Sequence, residues 1–131
     1  MQPEKQLTSL ELSKRLKELG VKQESLFYWN TRKEKVLAGY HLPVAPVDFK
    51  DKFVSAFTVA ELGEMLPVRN YNGEQTEDLA NWSTFKSDDK WICHLSWRYT
   101  RTNAEHIEAD TEADVRAKML IYLLENKLIE L

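Results

Sequence analysis

The chain has 131 residues, 43% hydrophobic and 30% charged, with a net charge of −3. This is ordinary globular usage, with enough length for a single domain (1–131) and a buried core. The acidic balance excludes a global basic field that would draw the protein to nucleic acid or an anionic membrane, though it leaves a local basic patch open. Cys93 is the one cysteine, so neither an intrachain disulfide nor a thiolate metal cage can form within one chain, which fits a reducing cytosol.

The opening M-Q-P-E-K-Q lacks the basic and apolar regions of a secretory signal. The longest apolar run falls far short of the roughly 20 residues that span a bilayer. A cytoplasmic protein without a membrane segment is expected.

In chain order, the first expected element is a helix over 8–19. Thr8 and Glu11 stand in capping-box spacing, with Leu7 and Leu12 placed to staple the entry. Leu12, Leu16 and Leu19 form one apolar stripe, and Gly20 sits where a left-handed residue ends a helix. The β-prone run Leu26–Trp29 and the segment Val36–Leu42, separated by polar residues, predict a hairpin. Pro43 and Pro46 then predict an irregular crossing over 43–54, anchored by Phe49 and Phe53. Thr58 and Glu61 repeat the capping-box spacing, and Pro67 ends a second helix whose apolar face is Val59, Leu62 and Leu66.

The polar stretch 68–80 carries an N-Y-N-G turn signal, with a short helical turn near 76–81. A second hairpin is expected from Trp82–Lys86 and Trp91–Tyr99. In the latter, Trp91, Cys93, Leu95, Trp97 and Tyr99 alternate with His94, Ser96 and Arg98, so one face packs inward and the other is polar. A further strand over 104–109 leads to a helix over 111–127 capped by Thr111. Its run Met119–Leu124 is apolar on more than one side. Such a helix is either the central beam of the core or half of a homodimer interface.

The candidate chemistry is sparse. Cys93 and His94 are neighbours, but adjacent strand residues point to opposite faces, so a thiolate–imidazole pair is not expected. The spacings of His41, His94 and His106 match no local zinc pattern. Of the acids Glu105, Glu108, Asp110, Glu112 and Asp114, the last two suit a helix first turn. With no nucleophile elbow and no phosphate-binding glycine loop, neither catalysis nor a cofactor or metal is expected.

Two routes to nucleic acid stand as alternatives. Residues 10–29 faintly follow a helix-turn-helix, with Lys22 and Gln23 opening the second helix. The polar sheet face offers a small basic patch of Lys86, Lys90, His94, Arg98 and Arg101. The rings of Trp82, Phe85, Trp91, Trp97 and Tyr99 would stack bases only if the terminal helix left them uncovered.

Three segments, S-L-E-L-S-K-R-L-K-E-L-G-V-K-Q-E-S-L-F-Y-W (9–29), S-A-F-T-V-A-E-L-G-E-M-L-P (55–67) and E-A-D-V-R-A-K-M-L-I-Y-L-L-E-N-K-L-I (112–129), resemble a family of small bacteriophage and prophage proteins with no assigned activity. The resemblance implies a phage or prophage origin and a cytoplasmic location in the bacterial host. It implies no catalytic residue. Residues 30–54 and 68–108 carry no resemblance.

The expectation is therefore an α+β fold, an antiparallel sheet of four to five strands against two to three helices. Its core should include Leu12, Leu16, Leu19, Trp91, Leu95, Trp97, Leu120 and Leu124. The expected role is non-enzymatic binding of a host or phage protein.

Overall fold

A computed structural model describes residues 3–38, 52–66, 80–97 and 105–129, the side chains of residues 3, 4, 80, 81, 97 and 105 excepted. A 3₁₀ turn, Pro3–Gln6, precedes helix α1 (Leu10–Glu18). Strands β1 (Phe27–Asn30), β2 (Lys35–Ala38) and β3 (Phe53–Ala56) lead to helix α2 (Val59–Met65). Strands β4 (Ala80–Ser87), β5 (Lys90–Trp97) and β6 (Glu105–Ala109) lead to helix α3 (Glu112–Glu125). The α+β class is as expected, but the strands form two three-stranded antiparallel sheets, ordered β2-β1-β3 and β4-β5-β6, in place of one larger sheet.

The division has a local cause. Segment 53–56, whose first two residues close the irregular crossing expected over 43–54, pairs with β1, and all four of its residues are buried. Its far edge is then closed by side chains and by the N-terminal segment. The Ser55 amide donates to Gln23 Oε1 (2.8 Å) and the Phe57 amide to Thr8 Oγ1 (3.0 Å). The Thr8 amide in turn donates to the Phe57 carbonyl (3.0 Å). With the Ser55 amide and both backbone groups of Phe57 taken, the edge is closed to a further strand at those positions.

The same seam moves the first helix cap by one residue. Ser9, not Thr8, caps α1, accepting from the Leu12 amide (3.4 Å). Thr8 is fully buried, with its hydroxyl 2.7 Å from Ser13 Oγ and its carbonyl accepting from Trp29 Nε1 (2.8 Å). The second capping box is present in both halves, Glu61 N to Thr58 Oγ1 (3.1 Å) and Thr58 N to Glu61 Oε1 (3.0 Å).

After Gly20, at φ 90, the chain runs through 21–26 without a helix and enters β1. The helix-turn-helix reading of residues 10–29 therefore lacks its second helix. The β-prone Phe27-Tyr28-Trp29 run prevails, fixed in place by Tyr28, whose hydroxyl accepts from the Ser25 amide (3.2 Å) and donates to the Gln23 carbonyl (3.3 Å). Residues 80 and 81, expected in a helical turn, instead begin β4. Phe49 and the turn around 68–79 lie outside the described residues.

Helix α3 is the centre of the fold. It touches all three strands of the second sheet as well as α1 and α2. Ala113, Val115, Ala117, Met119, Leu120, Ile121 and Leu123 are buried, and at about 100° per residue these positions surround the helix. Leu16, Leu95 and Leu120 are fully buried as expected, while Leu12, Leu19, Trp91 and Leu124 pack against the core with part of each exposed. Trp97 is in β5, its side chain outside the described set. Among the described residues no helix is long and apolar enough to cross a membrane.

Candidate functional site

Sheet register decides which predicted groups meet. The two-residue turn Asp88-Asp89, with Asp88 at φ 54, pairs Ser87 with Lys90, and from there Lys86 with Trp91, Phe85 with Ile92 and Ser83 with His94. Directly paired residues share a face. Lys86 therefore rises on the helix-covered side with Trp91, while Lys90 and His94 rise on the outer side. Lys90 is tied to the Asp110 carboxylate, which raises the lysine pKa and lowers that of the acid. Arg98 and Arg101 lie outside the described residues. Register thus divides the expected basic patch between two faces, and one of its cations is neutralised.

The ring-bearing face is corrected in the same way. Cys93 and Leu95 are fully buried under α3, but Phe85 belongs to the outer face and is 45% exposed. Beside it Ile92 is 8% exposed, so the outer face is not wholly polar. Trp82 lies under the Arg116 guanidinium, 4.9 Å from its ring centroid. Burial pushes the Cys93 thiol up to about 11, and the thiol and His94 lie on opposite faces, which leaves no dyad. The acids diverge as well. Glu108 is on the outer face, Asp110 meets Lys90, Glu112 meets Arg116, and Asp114 Oδ1 accepts from the Ser9 amide (2.8 Å).

A groove among the described residues takes only Trp91, Asp110 and Glu112 from these candidates. The bridge between Leu7 and Thr58 lays the N-terminal segment beside the start of α2. Two adjoining hollows, about 610 and 210 Å³, share Gln6, Val59 and Glu112. Leu7, Phe27 and Ala60 complete the larger hollow with Thr58, and Trp91, Lys5, Asp110 and Thr111 complete the smaller. Both hollows are open to solvent, so the groove is shallow.

The rim carboxylates are already engaged. Glu112 Oε2 accepts from Thr84 Oγ1 (2.6 Å) and from Arg116 Nη2 (3.1 Å). Arg116 Nη1 donates to the Val59 carbonyl (2.9 Å), so the ion pair fixes the groove wall to the core.

The groove was not foreseen from sequence. Capping signals at Thr58 and Thr111 locate two helix starts, but only the tertiary fold shows that they meet beside residues 5–7. Among the described residues no three His, Cys, Asp or Glu side chains converge as a metal site. No protein-family model, curated protein or solved structure matches this chain.

Proposed function

We propose that the chain is a non-enzymatic accessory protein of phage or prophage origin that holds a short apolar segment of a host or phage protein in this groove. One observation carries the reading: the floor is apolar, formed by Leu7, Val59 and the Trp91 ring, while both rim carboxylates are balanced by the chain's own Arg116 and Lys90. Such a surface offers burial without a net field, which suits an uncharged apolar segment better than a polyanion. The phage origin rests on the resemblance of residues 9–29, 55–67 and 112–129. The buried residues of α3 pack inside the monomer, so the alternative of a homodimer through 111–127 has no role in the proposal.

Panning a displayed random-peptide library against the folded protein, with Ala60→Glu as counter-target, tests it. Ala60 is exposed on the groove wall in the first turn of α2, where a carboxylate suits the helix. Enriched peptides should share an apolar anchor and bind the variant at least about tenfold more weakly, a loss of about 1.4 kcal/mol. Equal affinity for the variant, or a separate gel shift showing nucleic-acid binding that falls steeply with salt and survives Ala60→Glu, would sink the reading.

A further inference from the structure

On the outer face of the second sheet, opposite the face that carries Trp91, β5 and β6 bring two imidazoles into one cross-strand pair. His94 and His106 are direct partners in the antiparallel register. Directly opposed residues in such a pair have Cα atoms about 4.5–5.5 Å apart, a separation that lets two imidazoles aim one nitrogen each at a common point. His106 is about half exposed, and Glu108, on the same face of β6, places Oε1 3.7 Å from His106 Nε2. Ser83 flanks His94 from β4. Both imidazoles thus stand on a paired backbone, and His106 stands beside a carboxylate that favours a cation.

We propose that His94 and His106 form a surface site for a divalent late transition-metal ion such as Zn²⁺, Ni²⁺ or Cu²⁺. Imidazole nitrogen is the donor these ions prefer at neutral pH, at about 2.0–2.1 Å for zinc. Two protein ligands leave the remaining positions to water, which makes the site open and exchangeable. The sequence hides it because the two residues are 12 positions apart, a spacing set by the β5–β6 connection and not by any local ligand pattern.

Calorimetric titration of the full chain with zinc chloride in a non-chelating buffer is the test, followed by the ring-proton NMR signals of the histidines. The expected result is one ion per chain, with the signals of His94 and His106 shifting together. His94→Gln and His106→Gln should each weaken binding by at least about tenfold, as loss of a ligand exceeds the cost of losing a partner of a ligand. Both substitutions are polar and lie on the outer face, and unchanged circular dichroism confirms that the fold is kept. His41→Ala should leave the titration as it is. No binding by the parent, or binding that survives either glutamine variant, overturns the proposal.

Discussion

Thr8→Val tests the seam that joins the N-terminal segment to β3. Threonine and valine have nearly the same shape, so the fully buried site stays filled and only the hydroxyl is lost. That hydroxyl accepts from the Phe57 amide at 3.0 Å and lies 2.7 Å from Ser13 Oγ. Ser13 has a second acceptor, the Thr8 carbonyl at 3.4 Å, but the Phe57 amide would be left buried with its partner removed. An unsatisfied buried donor costs about 1–3 kcal/mol and a lost neutral hydrogen bond about 0.5–1.5 kcal/mol. The combined loss should be about 2–3 kcal/mol, a large share of the roughly 5–15 kcal/mol that holds a domain together. For a chain of this length the melting point should fall by about 6–12 °C. Thr8→Ser is the control. It keeps the hydroxyl and loses one methyl, costing about 1 kcal/mol. Urea unfolding followed by circular dichroism should rank the parent above Thr8→Ser and Thr8→Ser above Thr8→Val. If the valine variant equals or exceeds the serine variant, the hydroxyl is not what closes the seam.

Two further perturbations probe the wall of the groove and the start of α3. Gly63→Ala would ordinarily strengthen a helix by about 0.5–1 kcal/mol. Here the new Cβ would stand 2.5 Å from Arg116 Nη1, displacing a guanidinium bonded to Val59, Thr84 and Glu112, so a net loss of about 1–2 kcal/mol is expected in urea unfolding. In an Arg116→Ala background the alanine should turn stabilising again. Asp114→Asn reads the pH dependence. Burial raises the Asp114 pKa in the folded state, so the folded chain binds that proton more readily than the unfolded chain. Its ionised form is a cost at neutral pH that is relieved as pH falls through the folded value. The parent should therefore gain on Asp114→Asn between pH 7 and about pH 4. Asp110 is present in both proteins, and its charge adds to the rise at Asp114 that the comparison reads. A gap that stays constant, or that moves the other way, refutes the assignment.

What the sequence revealed was local. The Thr58–Glu61 capping box was readable because both of its hydrogen bonds close within four residues. The identical spacing at Thr8 and Glu11 misled, since the Thr8 hydroxyl is claimed by a backbone amide 49 residues away. Alternation along β5 correctly placed Cys93 and Leu95 inside. It could not place Lys86 or Phe85, because their face depends on how many residues form the turn to β5. The strand Phe53–Ala56 was missed because four residues after two prolines carry too little pattern, and its pairing with β1 supplies the rest. The groove was beyond reach for the same reason: residues 5–7, 58–60 and 110–112 are neighbours only once α3 has brought them together.

Helix α3 follows in sequence every strand of the sheet that it covers. Within this sequence β4, β5 and β6 are made before α3, so their inner face has no helix over it until Leu123 has left the ribosome, whereas β3 already has α1 as its partner. The second sheet therefore closes late, around α3, while the packing of α1 on β3 needs nothing from it. A nascent chain stalled near Asp110 should depend on chaperone cover, and its release should be followed by a single cooperative gain of structure.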